Sequence, residues 1–395
     1  MDHASPSPSA SVPPPALRLV RLTLSQFRNC ERLSWRPAGR IAVLFGANGS
    51  GKTSLLEAIS LLLPGRGLRG ARAADLARRG GDGAWAVAGR FDTPAGPLDV
   101  GTGTAPDGPP ERRIFRLDGA APRTQAEVAA RLAAVWITPQ MDRLFQEGTS
   151  GRRRFLDRLV FALEPGHARE VAAHDEAQAE RNRLLAAGAP DAAWLAGVED
   201  AIARHAVAVT AARASLARRL NAALAAGAAD PFPAAHIALL CPIAARLGAA
   251  PALAVEEWLR ADLAAARARD AAAGSAALGA QRADMAVSDA ASGLAAAEAS
   301  TGQQKALLLG LVLGHAALLA EARGFAPLLL LDEATVHLDP DRRLALFAAL
   351  RRGPAQAFLT ATDREVFLPL REAAEGLRVA DGSLVRDPDF ITTPP

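Results

Sequence analysis

The sequence predicts an α/β fold: a head with a mixed or parallel sheet and a small antiparallel sheet, built from both ends of the chain, with a helical arm inserted between them. Three observations predict it. A glycine-rich loop at 46–53 lies between a strand pattern and a helix pattern, an apolar run at 328–331 ends in two carboxylates, and much of the stretch between them reads as helix. Strands alternating with helices imply a parallel sheet, and two such halves around one helical stretch imply an insertion.

Taken in order, Met1 to Pro15 is rich in Ser, Pro and Ala, has neither a basic leader nor a continuous apolar segment, and reads as a disordered tail. Leu17 to Leu24 alternates as a strand does, and Ile41 to Phe45 is an apolar run ending at a glycine-rich turn, which marks a buried strand. Thr53 to Leu63 has helical spacing and stops at Pro64-Gly65. Short apolar segments broken by Gly and Pro between 84 and 120 predict the antiparallel sheet. From Arg152 to about Ala228 run helical patterns rich in Ala, Arg, Glu and Leu, interrupted near Gly188-Ala189-Pro190. Their apolar positions hold no clean heptad, so a short bundle or stubby coiled coil fits better than a long rod. Pro231 to Pro242 breaks the pattern, and a further helix covers Val255 to Ala272. The last third reads as helix 302–323, strand 327–331, helix 340–352 and strand 356–360. The boundaries that follow are a tail at 1–15, the first half of the head at 16–150, the arm at 151–278 and the second half of the head at 279–395.

The hydrophobic share of 50% supports a sizeable core. The greasiest run, Ala306 to Ala320, is interrupted by Gly310, Gly314 and His315, which argues against a membrane span. Cys30 and Cys241 suit neither a zinc site nor a disulfide framework, and a reducing cytoplasm is expected. The 45 basic residues include only two lysines, Lys52 and Lys305. Arginine pairs well with phosphate, but GC-rich coding alone raises Arg and Ala together. Both lysines fall inside motifs.

Gly46-Ala47-Asn48-Gly49-Ser50-Gly51-Lys52-Thr53 is a complete Walker A sequence, followed by Ser54, in the strand–loop–helix context the motif requires. Its glycines let backbone N–H groups turn inward around phosphate oxygens at a helix N-terminus. Lys52 would pair with the β and γ phosphates of ATP, and Thr53 would ligate Mg²⁺. Leu328-Leu329-Leu330-Leu331-Asp332-Glu333 is a Walker B segment, a buried strand delivering two carboxylates at its C-terminal end. Asp332 would hold Mg²⁺ and Glu333 would orient or deprotonate the attacking water. Ser300-Thr301-Gly302-Gln303-Gln304-Lys305 lies one helix length upstream of that strand, and between a Walker A and a Walker B it is similar to an ABC signature. On its own it is also a Ser N-cap opening a helix.

The chain resembles the RecF family of ABC/SMC-type ATPases. The residues that carry the likeness are Gln26-Phe27-Arg28-Asn29, Asn48, Thr53-Ser54-Leu55-Leu56-Glu57-Ala58-Ile59, Gly65-Arg66-Gly67-Leu68-Arg69, Arg152-Arg153-Arg154-Phe155-Leu156-Asp157 and Gln303-Gln304. The resemblance implies a P-loop ABC head whose Ser300, Gly302 and Gln303 contact the γ phosphate held by a second copy, so that ATP sits between two heads of an ATP-dependent homodimer. It makes Arg28 and Asn29 candidate nucleotide contacts and Gln140 a candidate Q-loop residue near the metal. It makes Arg66, Arg69 and Arg72, with Arg78 and Arg79, candidate DNA contacts. It further implies slow, DNA-stimulated hydrolysis, action at gaps or single-strand/double-strand junctions of DNA in replication, damage repair and the SOS response, and RecR- and RecO-type partners. No tyrosine and few other aromatics occur, so duplex or backbone recognition is expected rather than base stacking.

Three segments depart from the family pattern. Gly279-Ala280-Gln281-Arg282-Ala283-Asp284 replaces a Gly-Pro-His-Arg-x-Asp segment, Ala334 to Asp339 reads as a general ABC D-loop, and Thr362 stands near where transporter ATPases carry a switch histidine. Two other readings therefore stay open. A transporter ATPase subunit shares all three motifs, although the long arm and the missing switch histidine oppose it. A defence, overcoming-lysogenisation-like or toxin–antitoxin ATPase fits the D-loop.

Overall fold

The computed structural model describes residues 14–105, 111–188 and 191–390. The chain opens on β1 (Arg18–Phe27) and β2 (Cys30–Trp35), then β3 (Ile41–Phe45), which runs straight into the glycine loop and α1 (Lys52–Leu61). After β4 (Ala86–Thr93), β5 (Gly96–Thr104) and β6 (Arg113–Leu117) come α2 (Gln125–Arg131) and β7 (Ala134–Ile137). The arm follows: α3 (Thr149–Leu163), α4 (His167–Ala186), α5 (Ala192–Ala225), β8 (Ala235–Leu240), α6 (Pro242–Leu247), α7 (Ala252–Ala265) and α8 (Arg267–Ala273). The chain then returns through β9 (Asp284–Asp289), α9 (Thr301–Arg323), β10 (Leu328–Leu331), α10 (Pro340–Arg352), β11 (Ala357–Ala361), β12 (Glu375–Ala380) and β13 (Ser383–Arg386).

Two sheets make the head. The larger has the order β13-β12-β3-β11-β10-β7, parallel from β12 to β7 with β13 antiparallel at one edge, so β3 and β7 from the first half interleave with strands of the last third. The second is antiparallel, of order β2-β1-β4-β5-β6. One core packs β3, β7, β10 and β11 against α3 and α9, and a second fills the space between the sheets around α1. The α/β head built from both chain ends is thus present, with the helical insertion between.

The antiparallel sheet is larger than the pattern at 84–120 implies, because β1 and β2 join it. Five further strands carry no clear sequence signal, among them β13, which pairs with β12 at the sheet edge. β7 is only four residues long, β8 lies inside the proline-flanked break at 231–242, β9 pairs with β8, and β12 gains its identity by pairing with β3. The helix expected over Val255 to Ala272 is divided at Ala266 into α7 and α8. Within the expected tail, residues 1–13 lie outside the described residues, whereas the Pro15 carbonyl accepts from Ala326 N at 2.9 Å and ties the chain to the head. Ala189 and Pro190 of the expected interruption also lie outside the described residues.

α5 is the long strut of the arm, 34 residues or ~51 Å at 1.5 Å per residue. Its first half packs Ile202, Val207 and Val209 against α6 and α7, and its second half sends Leu216, Leu220 and Leu224 into the head core. α9 is long and apolar enough by composition to cross a bilayer, yet Leu307 to Val312 are buried in the head core, which accounts for the apolarity. Both cysteines are free and buried.

Candidate functional site

The site begins where β3 ends. Gly46, Gly49 and Gly51 have φ of 149°, 82° and 110°, values that side chains rarely adopt. At Gly46 a Cβ would meet Val379 O at 2.4 Å, and at Gly51 it would meet the Asn29 amide at 2.8 Å. Asn29 Nδ2 donates to Ser50 O at 3.0 Å, so β1 and β2 brace the loop from outside. Lys52, 5% exposed, opens α1 and folds its ammonium onto Gly46 O at 2.7 Å and Ala47 O at 3.0 Å.

The Walker B carboxylates reach the same place because β10 ends one residue before them. Asp332 Oδ1 accepts from Thr53 Oγ1 at 2.9 Å and from Thr360 Oγ1 at 2.7 Å. Thr360 Oγ1 in turn accepts from Glu333 N at 2.9 Å. One hydroxyl on β11 therefore fixes both carboxyl residues, and it holds Glu333 at φ 50°, a strained backbone that needs such support.

A cavity of about 1140 Å³ opens over these groups, lined among others by Asn48, Lys52, Thr53, Arg69, Arg78 and Glu333. Burial pulls the Lys52 ammonium below the ordinary lysine range, opposed by the charges of Glu333, Asp332 and Asp363. Burial raises the Asp332 carboxyl above its usual value, opposed by the two hydroxyl bonds and by Arg69 and Lys52. Both shifts favour the neutral forms, as expected of charges without a full set of partners. Ser50 Oγ is buried with no hydrogen-bond partner. An ammonium resting on loop carbonyls, an orphaned hydroxyl and a Thr–Asp oxygen pair fit a polyphosphate and a hard divalent cation. Lys52 and Ser50 would hold phosphate oxygens, and Thr53 and Asp332 would hold the metal, which would neutralise phosphate charge.

The other expected residues divide. Arg28 lines the cavity, but its guanidinium grips the fully buried Glu57 at 2.7 and 2.8 Å and Asp75 O at 2.7 Å, so it fixes the wall. Arg69, Arg78 and Arg79 also line the cavity, and Arg69 lies 3.8 Å from Glu57, while Arg66 and Arg72 are exposed outside it. Gln140 is exposed just past β7 and does not line the cavity. Thr362 turns to Asn48 Oδ1 at 3.4 Å. Ser300 caps α9: its Oγ accepts from Gln303 N at 3.4 Å, and its N donates to Gln303 Oε1 at 2.9 Å. Ser300, Gly302 and Gln303 do not line this chain's own cavity, and a Cβ on Gly302 would sit 3.3 Å from His337 O.

Sequence reasoning misses Thr360, because a lone threonine ending a strand carries no local signal. It also misses the pair between the buried Lys305 Nζ and the half-buried Asp142 Oδ1 at 2.5 Å, which ties the signature helix to the segment carrying Gln140.

A family model described as "AAA domain, putative AbiEii toxin, Type IV TA system" matches residues 41–93, the stretch holding β3, the loop and α1. Over nearly the full length, the chain is 45% identical across 373 residues to the DNA replication and repair protein RecF of Mesorhizobium japonicum, covering 94% of this chain and 98% of that protein. The chain belongs to the RecF family. Its RecF counterpart in Rhizobium meliloti is 43% identical over 92% of this chain and 97% of that protein. Among solved structures, the recombination mediator protein RecF-ATPrS in the RecFOR pathway superposes with a TM-score of 0.84 at 21% identity, covering 95% and 99% of the two chains. An Smc head bound to the C-winged helix domain of ScpA gives 0.51 at 17% identity, covering 93% and 97%. Both superpositions bear on the fold, which is that of an ABC-type ATPase head.

Proposed function

We propose that this RecF-family chain binds ATP with Mg²⁺ in the P-loop cavity, closes into a homodimer on DNA with the nucleotide between two heads, and resets by slow, DNA-stimulated hydrolysis. It works in the cytoplasm at gaps or single-strand/double-strand junctions during replication and repair, with RecR- and RecO-type proteins as partners. The observation that carries this reading is the separation of the two half-sites. Lys52, Thr53 and Glu333 line one cavity, with Asp332 bonded to Thr53 just behind its wall, whereas the capped N-terminus of α9 with Ser300, Gly302 and Gln303 is absent from that wall. A second copy would supply that helix end, whose unsatisfied N–H groups and dipole suit a γ phosphate. The likeness to DNA replication and repair proteins RecF, and to a solved structure of RecF-ATP, supports the assignment.

Within each site, Lys52 would hold the β and γ phosphates, Asp332 and Thr53 the metal, and Glu333 the attacking water. Arg69, Arg78 and Arg79 link the Gly- and Arg-rich stretch that would meet DNA to the cavity wall, which gives DNA contact a short route to turnover.

Ser300→Arg tests the shared site. It leaves the cavity intact, so ATP binding should persist, while the guanidinium blocks docking of the partner's phosphate. ATP-induced dimerisation by light scattering and phosphate release should disappear together. If Ser300 is only a cap, the change costs about 1 kcal/mol of helix stability and turnover stays near normal, which would sink the composite site.

A further inference from the structure

At the root of the arm, α3, α4 and α5 enclose a second cleft of about 230 Å³, closed on one side by the 279–284 segment. α3 lines it with Arg153, Arg154 and Asp157, positions three and four apart that share one helix face. α5 adds Arg213, α4 adds His174, and the segment adds Gln281. The carboxylate on that face is already engaged, since Asp157 accepts both arms of Arg213 at 2.7 and 2.8 Å and His167 Nε2 stands 2.8 Å away. Asp175, mostly exposed, lies 3.4 Å from His174 Nδ1.

What remains is a set of unpaired polar groups with an excess of positive charge. Arg153 makes one hydrogen bond, NH1 to Ala283 O at 3.1 Å, and Arg154 makes none among the described residues. His174 is 2% exposed, and its Nε2 has no partner. Burial, and the neighbouring charges of Arg213 and Arg154, hold the Arg153 guanidinium below the usual arginine range, although Asp157 and Asp284 oppose this. The two guanidiniums come from α3, while His174 on α4 turns Nδ1 to the Asp175 carboxylate and so leaves Nε2 as an acceptor, and a monoprotonated phosphate, which accepts from arginine and donates through its own O–H, meets this set better than a carboxylate. No phenylalanine or tryptophan lines the space, and the His174 ring is 2% exposed, so no open ring face is offered to a base.

We propose that this cleft is an anion site separate from the P-loop, taking a phosphate monoester group, with Arg153 and Arg154 as its charge partners and His174 Nε2 at its floor. The same geometry explains the 279–284 segment: Arg213 NH1 donates to Ala280 O at 2.7 Å and Arg152 pairs with Asp284 at 2.7 and 2.8 Å, which shapes the cleft wall.

Radiolabelled inorganic phosphate is dialysed against the full-length protein whose P-loop is filled with a non-hydrolysable ATP analogue, and against Lys52→Ala without nucleotide. Phosphate should bind in both. Arg154→Gln, at an exposed position, and Arg153→Gln should each weaken it about tenfold or more. Protein that holds no phosphate beyond the P-loop, or an Arg154→Gln variant that melts normally and binds as tightly as wild type, overturns the site. Short duplexes then compete. Displacement by a 5′-phosphorylated end and not by a 5′-hydroxyl end assigns the ligand to a strand terminus, and displacement by neither assigns it to a free small phosphate. Equal displacement by both shows entry of backbone diesters and overturns the monoester assignment.

Discussion

Among the buried charges of this molecule, those in the arm around Arg181 and those at the glycine loop are handled in opposite ways. In the arm, Arg181 is 0% exposed and partnered at each guanidinium nitrogen: Nε donates to Glu199 Oε1 at 3.0 Å, NH1 to Asp270 Oδ2 at 2.9 Å and NH2 to Leu263 O at 2.7 Å. Arg267 then takes the second oxygen of Glu199 at 2.6 Å. In the head, Lys52 rests on carbonyls of its own loop, Asp332 takes only hydroxyl donors, and Ser50 Oγ has none. A satisfied buried network locks helices together, whereas an unsatisfied one facing open space is prepared for a ligand. The comparison separates structural from functional charge without reference to any motif.

The sharpest way to test the functional side is Glu333→Gln, which keeps size and hydrogen bonding and removes the base. Turnover in a phosphate-release assay should fall about 10²- to 10⁴-fold while ATP still binds and the dimer accumulates. Wild-type turnover would place the base elsewhere. On the structural side, Arg181→Met leaves Glu199 and Asp270 buried with fewer partners and should cost about 3–5 kcal/mol in a urea melt, with nucleotide affinity of the folded protein unchanged. A variant of normal stability that binds ATP poorly would reverse the assignment of the two regions. Lys52→Ala should do the converse. It removes the ammonium that faces phosphate and should weaken ATP by about 10- to 150-fold in a fluorescent titration, from about 1.5–3 kcal/mol for a charged hydrogen bond. Stability should barely change, since its only hydrogen bonds are to loop carbonyls and the cost of its burial outweighs the nearby carboxylate charges.

The same contrast explains what could be read from the sequence. The loop at 46–53 is legible because the residues that cradle phosphate are contiguous and their glycines are forced by local φ and by the close approach of Val379 O. Asp332 and Glu333 are legible because an apolar strand must end before a carboxylate. Arg181 pairs with residues 18 and 89 positions away, and no local pattern marks such a partnership. Thr360, Glu57 and Asp142 are hidden for the same reason: each acts through a side chain brought near by the sheet or by helix packing. β7 and β12 are likewise strands only because β10 and β3 offer them an edge. The arginines after α1 show the limit from the other direction. Sequence groups Arg66, Arg69 and Arg72 as one DNA-facing cluster, while the fold turns Arg69 into the cavity and leaves the others outside.

The smallest effect concerns a buried group that belongs to neither region. His315 on α9 is 0% exposed, its Nε2 lies 3.0 Å from Leu159 O and its Nδ1 has no partner. A carbonyl only accepts, so Nε2 carries the proton and the ring is neutral. Burial lowers its pKa from 6.5 to about 3, against the raising effect of the Leu159 bond and with help from the charge of Arg158. The unfolded chain therefore takes up a proton near pH 6.5 that the folded chain refuses until about pH 3. Stability from this group is fully present above pH 6.5 and is lost as the pH falls from there toward 3. Between pH 6.5 and 5 the loss is about 2 kcal/mol, at 1.36 kcal/mol per unit. His315→Leu fills a similar space without a titratable ring. It should give up about 1 kcal/mol at pH 7 for the lost hydrogen bond and remove this part of the acid sensitivity. Urea midpoints at pH 7 and pH 5 for both proteins decide the matter: equal declines would mean that His315 accepts its proton in the folded state and that its burial is relieved by movement of α9.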